Sequence, residues 1–235
     1  MTAGGIVEER VAADEVESPS AQLRITPLGK LELISTHDQL LGGPTGQSFL
    51  GSRFPADQAY ATAISEQSVR VGELLVEAGV LGRFAIDYLV AKQDGEWKPY
   101  AIEINLRKGG TTHPFLTMQY ITDGKYDWET NEFTTPLGDR KYYAASDHLE
   151  HPSYRALDFT RVFDLAVSER LHFDHSRNRG VVFHMITALG DRGRIGLTAI
   201  GNSREEADEL YARTVKAFDA AAEAELRERP LPEVE

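Results

Sequence analysis

Two runs of alternating side chains, residues 84 to 91 and 97 to 105, constrain this chain more than any other feature. Phe84, Ile86, Tyr88 and Val90 recur at even positions of the first run, and Tyr100, Ile102 and Ile104 at even positions of the second. A period of two marks strands with one buried face, so the runs read as neighbours in an antiparallel sheet. Asp94-Gly95-Glu96 lies between them and suits a three-residue hairpin loop. Such a loop sets residue 87 opposite residue 103, and Asp87, Glu103 and Asn105 then share the face away from the apolar set. A two-residue Asp94-Gly95 turn would set Ile102 opposite Asp87 and split the apolar set across both faces, which burial disfavours.

Two acids and an amide oxygen are hard donors. Mg²⁺ is commonly held by one or two carboxylates together with phosphate oxygens rather than by a closed protein cage, so this set suits it. The same residues also fit a solvated polar face on an antiparallel hairpin, and periodicity alone leaves both readings open.

The hairpin with Asp87, followed by Glu103-x-Asn105-x-Arg107, resembles the metal-binding end of the ATP-grasp superfamily. The run Glu103 to Pro114 (EINLRKGGTTHP) is similar to peptide ligases of the pheganomycin type, and Gly180 to Gly201 resembles the small C-terminal domain of those ligases. The resemblance implies an α+β fold: the antiparallel-sheet C-terminal lobe of an ATP-grasp fold over residues 1–125, then a small α+β domain over 126–235. It implies ATP and Mg²⁺ as cofactors, with Asp87, Glu103 and Asn105 as metal ligands and Arg107 beside the reacting phosphoryl group. Many ligases of the superfamily have an arginine two residues before the first metal carboxylate. Ala85 stands there in this chain, so that charge either comes from Arg83 or Arg107 or is missing.

Gly5 to Val11 (GIVEERV) resembles the strand that joins the two ATP-grasp lobes. It implies Glu8 at the adenine amino group, backbone contacts from Glu9 and Val11, and Glu17 at the ribose hydroxyls. An acidic leader is the other reading of these residues. The implied activity is carboxylate–amine ligation through an acyl phosphate, with a small carboxylate and an amine, an amino acid or peptide, as partners. The joining strand normally follows a first lobe that carries a lysine and a mobile glycine-rich loop, and this chain begins near that strand. Gly42-Gly43-Pro44-Thr45-Gly46-Gln47-Ser48 lacks the ending of a phosphate-binding loop and reads as a loop near the substrate or an ordinary turn. A non-catalytic split module, a separate chain carrying the N-terminal lobe and a homo-oligomer therefore stay open.

The formal charge of −12 opposes binding to nucleic acid or an anionic membrane, and it makes Mg²⁺ necessary for holding ATP. With no cysteine, thiolate chemistry and cysteine-based zinc sites are excluded. The N-terminal residues lack the pattern of a secretory signal and no run is apolar enough to span a bilayer, so a soluble cytoplasmic protein is expected.

Elsewhere, residues 21–25 and 30–35 read as strands that end at His37 and Asp38. Asp57 caps a helix to Ala78 with Tyr60, Ile64, Val71, Leu74, Leu75 and Ala78 inward and Gly79 as the stop. Residues 153–172 read as a helix, and 181–189 with 194–200 as a hairpin through Gly190 to Gly193. A long helix runs from Ser203 to Leu226, opened by a Ser203/Glu206 capping box. His184 sits in an apolar strand and reads as a hydrogen-bonded core residue. His113 follows Gly109-Gly110, where it is suited either to the acceptor site or to anchoring the loop.

Overall fold

The alternation of apolar and polar side chains gathers residues 11–228, the part of the chain that the computed structural model describes, around one sheet. In order, the elements are β1 (Glu15–Glu17), β2 (Pro19–Ile25), β3 (Leu31–Gly42), β4 (Ser48–Phe54), α1 (Gln58–Glu77), β5 (Gly82–Gln93) and β6 (Glu96–Asn105). Then come α2 (Thr112–Thr122), β7 (Lys125–Asp127), β8 (Glu132–Thr134), β9 (Tyr142–Glu150), a 3-10 turn (Pro152–Ala156), α3 (Phe159–Ser168), β10 (Gly180–His184), α4 (Ala188–Arg192), β11 (Arg194–Gly201) and α5 (Arg204–Glu228). The fold is α+β. Among the described residues nine strands form one sheet in the order β1-β5-β2-β3-β4-β9-β11-β10, with β6 on the free edge of β5, and β7 and β8 pair apart from it.

The two faces of the sheet have different cover. On the back, Ala21, Leu23, Phe84, Ile86, Tyr88 and Val90 close against Tyr60, Ala61 and Ile64 of α1. Further along the same face, Leu197 and Ala199 pack against Leu210, Phe218 and Ala221 of α5. On the front, Phe54, Tyr143, Ala145 and Ile200 meet Phe115 and Met118 of α2. Residue 126 lies within β7, yet the main sheet continues past it, because β4 pairs with β9 through Ser52↔Ala145, Arg53↔Ala144 and Phe54↔Tyr143.

Several elements differ from the sequence expectations for identifiable reasons. β3 does not end at His37 and Asp38 but continues to Gly42, since His37 is held in the buried front face and Asp38 pairs with Arg53 of β4. In α1, Asp57 caps as expected by accepting from the Ala59 N–H at 2.8 Å, but Leu74 is 64 % exposed. The buried stripe instead uses small residues, Ala61, Ser65, Ser68 and Gly72, which let the helix lie close to the sheet. A Cβ on Gly72 would meet Leu31 at 2.7 Å. The helix expected over 153–172 is split, because Asp158 accepts from the Arg161 N–H at 2.8 Å and so starts α3 afresh after the 3-10 turn. The strand expected to reach Leu189 stops at His184, where Met185 turns to positive φ (56°) and α4 intervenes before β11. At the start of α5, Ser203 Oγ accepts from the Glu206 N–H at 3.1 Å, while the Glu206 carboxylate turns back to Asn202 instead of Ser203. No described helix is long and apolar enough to cross a membrane.

Phe54 stands at the junction of β4 and β9 and packs against Phe115, Phe133 and Tyr143 with ring centroids 5.3, 5.8 and 5.3 Å away. Phe54→Ala should cost about 3–5 kcal/mol, read as a lower urea midpoint with the unfolding slope unchanged.

Candidate metal and nucleotide site

The β5–β6 hairpin closes with a two-residue turn, Asp94 (φ 54°) and Gly95 (φ 83°), and Gln93 opposes Glu96. The three-residue loop expected from the sequence is not there. Both central residues at positive φ make the turn whose twist matches paired strands, and Asp-Gly supplies it. In this register Trp97, Pro99 and Ala101 oppose Lys92, Val90 and Tyr88, so they take the back face and Tyr100 the front. Trp97 accordingly sits edge-on to Tyr60 of α1, with centroids 5.3 Å apart. A bulge then absorbs Ile102: Tyr88 opposes Ala101, but Asp87 opposes Glu103. The extra residue returns Glu103 and Asn105 to the front face beside Asp87. Ile102 and Ile104, expected in the core, are 48 % and 45 % exposed on this edge strand.

The structure thus brings Asp87, Glu103 and Asn105 together. Asn105 Nδ2 donates to Asp87 Oδ2 at 2.9 Å and to Glu103 Oε2 at 3.2 Å, and Gln39 Nε2 donates to Asp87 Oδ1 at 2.8 Å. Burial raises the Asp87 carboxyl above its usual range and the charge of Glu103 adds to this, while the hydrogen bond from Gln39, the charge of Arg107 and the hydrogen bond from Asn105 oppose it. The Asn105 amide occupies a point that both carboxylates address. Half a turn of the amide would present Oδ1 there, giving an all-oxygen donor set with unneutralised negative charge that fits Mg²⁺. Among the described residues no three His, Cys, Asp or Glu side chains cluster as a ready metal site, so a cation here would have to draw on the amide and on ligand oxygens. Arg107 is exposed two residues beyond, with its N–H bonded to the Asn105 carbonyl at 2.7 Å. Arg83, on the same face, has a buried Nη1 without a partner.

Behind the triad lies a buried polar framework that periodicity does not reveal. Gln22 Nε2 donates to Thr111 Oγ1 at 2.6 Å and to His37 Nε2 at 3.1 Å, and Gln22 Oε1 accepts from Thr112 Oγ1 at 2.8 Å. His37 Nδ1 meets the Tyr143 hydroxyl at 2.9 Å and His37 Nε2 meets Ser35 Oγ at 2.8 Å. The Gln22 amide can only donate through its nitrogen, so the network assigns the proton of His37 to Nδ1. This framework fastens the end of the loop that follows Asn105 and Arg107. The available sequence signal was a run of polar residues, Gln22, Ser35 and His37, inside strands with buried neighbours.

Glu8 and Glu9 lie outside the described residues. Val11 is half-buried and belongs to no strand, and the next residue accepts from Gln93 through its carbonyl at 2.9 Å. The structure does not bring Glu17 to the triad. Glu17 pairs with Val90 on the back face, where burial and the neighbouring Asp38, Asp57 and Glu15 raise its carboxyl pKa against the charge of Arg53. Gly42 to Ser48 joins β3 to β4. His113 is exposed on α2 and its ring lies 4.4 Å from that of His184. His184 is not the hydrogen-bonded core residue expected, because its Nδ1 is buried without a partner.

Residues 1–129 match the family model described as IQCH-like, ATP-grasp. The chain belongs to this ATP-grasp family. Residues 161–214 match the PGM1 C-terminal domain. The L-propargylglycine–L-glutamate ligase of Streptantibioticus cattleyicolor is 33 % identical over 215 residues, 92 % of this chain and 43 % of that protein. IQ motif-containing protein H of Danio rerio is 21 % identical over 90 % of this chain and 20 % of its own length. The chain therefore spans less than half the length of these curated relatives. Among solved structures, the phosphoribosylaminoimidazole carboxylase ATPase subunit from Aquifex aeolicus superposes with a TM-score of 0.56 at 16 % identity, covering 90 % of this chain and 58 % of that one. The N5-carboxyaminoimidazole ribonucleotide synthetase from Thermus thermophilus does so with 0.55 at 14 %, covering 88 % and 52 %. At these identities the likeness concerns the fold.

Burial depresses the pKa of His37 to about 3, well below the unfolded value of 6.5. Between these values the unfolded chain binds the extra proton, so stability rises with pH. The contribution of neutral His37 is complete above about pH 6.5 and is lost as pH falls towards about 3. Urea midpoints measured at pH 7 and pH 4.5 should fall less in His37→Gln than in the parent chain.

Proposed function

We propose that this chain carries the Mg²⁺-nucleotide half of an ATP-dependent carboxylate–amine ligase. The observation that carries the reading is the convergence of Asp87, Glu103 and Asn105 on one face, with Gln39 reaching across β2 from β3 to hold Asp87. Asp87, Glu103 and the Asn105 amide oxygen would hold Mg²⁺, which when bound neutralises phosphate charge. Arg107 follows the triad on an exposed loop and supplies a positive charge for the phosphoryl group that moves to the carboxylate. The adenine contacts remain proposals at Glu8, Glu9 and Val11. Glu17, among the acids of the back face, has no geometric support for a ribose contact.

In the reaction proposed, a substrate carboxylate oxygen attacks the γ-phosphorus of ATP, giving an acyl phosphate and ADP. An amine then attacks the acyl carbon, phosphate leaves, and the amine loses a proton as the amide forms. The relative named for L-propargylglycine and L-glutamate supports amino acids as the substrate class. The Gln22 framework keeps the loop from Arg107 to Thr111 in place against the sheet, so positioning is supplied by the fold itself. A division near residue 126 is also proposed, since one family match ends at 129 and the other begins at 161.

Calorimetric titration with ATP tests this reading. Binding should require Mg²⁺ in the parent chain and be abolished in Glu103→Gln with the fold intact by circular dichroism. Gln39→Ala, which frees Asp87 without removing a ligand, should weaken Mg²⁺-dependent binding by roughly 10–100-fold. Equal ATP affinity with and without Mg²⁺ would sink the assignment.

A further inference from the structure

A small cavity on the front face lies over β4 and β9, with β2 and β3 between it and the β5 strand of the triad. Gln39, which holds Asp87, pairs with Ser52 of β4, and Ser52 pairs with Ala145 of β9. Ser52, Ser146, Asp147 and His184 line the cavity with Phe49, and Gly110 from the loop after Arg107 also reaches it. The loop can come so close because residue 110 is glycine, since a Cβ there would meet the Phe49 ring at 2.5 Å. About 10 Å³ is open to the centre of a water-sized group, which is room for one water or one –NH₃⁺ head.

Two polar groups lining this space lack a hydrogen-bond partner, whereas Ser146 Oγ donates to the Leu50 carbonyl and accepts from the His148 N–H at 2.9 Å. Ser52 is 1 % exposed and its Oγ has no hydrogen bond of good geometry, with the Tyr143 hydroxyl its polar neighbour. His184 Nδ1 is likewise buried without a partner, and so is Thr198 Oγ1, across from Ala145 on β11. Leaving a polar atom buried and unpaired is costly, and here such atoms gather beside one cavity. The His184 ring is fixed in place over its cross-strand partner Gly196, where a Cβ would meet Nε2 at 2.1 Å. Burial, and then the charge of His113, lower the pKa of His184 to about 4, against the pull of Asp147, so the ring is neutral at pH 7.

The groups facing the cavity choose the sign of the ligand. Asp147 is the carboxylate that lines it, with His148 Nδ1 at 2.6 Å and the Arg194 guanidinium Nη2 at 3.9 Å from its oxygens. A neutral imidazole, a hydroxyl, a carboxylate and an aromatic ring together accept hydrogen bonds and favour a cation. An anionic group would face Asp147 directly. We propose that this cavity is the subsite for the primary ammonium group of the amine substrate. Its role as acyl-acceptor site rests on the ligase reading and requires the bound ammonium to release one proton to solvent, leaving the free amine, before attack on the acyl carbon, whereas ammonium binding can be measured without ATP.

The test uses the full chain at pH 7, with the His184 and Asp147 side-chain resonances followed by NMR. Ethylammonium chloride is the probe, with ethanol and sodium chloride as controls. The expected result is a saturable shift of both side chains with ethylammonium alone, weakened roughly tenfold or more in Asp147→Asn and in Ser52→Ala. Ser52→Ala removes a hydroxyl whose protein neighbour is the Tyr143 hydroxyl, which keeps its bond to His37 Nδ1, so the variant should fold normally. No saturable shift, an equal response to ethanol, or unchanged affinity in both variants would overturn the proposal. ATP binding in the same sample separates the two readings. Amine binding without Mg²⁺-dependent ATP binding would remove the ligase role and keep the subsite, and ATP binding without amine binding would remove the subsite alone.

Discussion

The arrangement of the site depends on a single change of register in β6. The tight Asp94-Gly95 turn fixes the outer half of the hairpin so that Trp97 reaches Tyr60 and α1 on the back face. Continued without interruption, that register would place Ile102 opposite Asp87 and turn Glu103 and Asn105 towards the back. The bulge at Ile102 reconciles the two demands, giving the core its tryptophan and the front face its carboxylates. The exposure of Ile102 and Ile104 is the cost of carrying this irregularity at the sheet edge.

From the triad inward, the front face is organised first by polar contacts and then by the apolar cluster of Phe54, Phe115 and Tyr143. Gln39 spans from β3 to Asp87, Gln22 grips Thr111 and Thr112, and His37 ties Gln22 to Tyr143 of β9. These bonds link both halves of the sheet to the one loop that follows Asn105 and Arg107. Each member is buried or nearly so, and a low-dielectric setting makes a satisfied network of this kind rigid. The same face then ends in a place where satisfaction fails, at Ser52, Thr198 and His184, immediately beyond the network. That contrast between a closed network and an open cluster distinguishes scaffold from candidate ligand pocket.

Much of this was legible from the sequence, though not always for the right reason. Asp87 opposite Glu103 followed from alternation, but by way of a three-residue loop that the chain does not form; a bulge has no signature in a period of two. The caps at Asp57 and Ser203 were readable because their hydrogen bonds are local. The break at Asp158 and the turn at Met185 were missed because apolar periodicity continues through both. Gln22, Gln39 and His37 could not be placed, since their partners lie 89, 48 and 106 residues away in the chain. The buried small-residue stripe of α1 also escaped, because Leu74 fits a helical spacing equally well and only the close approach of the sheet excludes it.

The chain presents acidic groups on both faces of the sheet, the triad in front and Glu17, Asp38 and Asp57 behind, so the decisive measurement is where a divalent ion binds. With Mn²⁺ in place of Mg²⁺ and ATP present, paramagnetic broadening of side-chain carboxyl and amide resonances reports this directly. The account predicts broadening centred on Asp87, Glu103, Asn105 and Gln39, with Glu17 and Asp57 spared. Broadening centred on Glu17, Asp38 and Asp57, or spread evenly over the acidic surface, would contradict it.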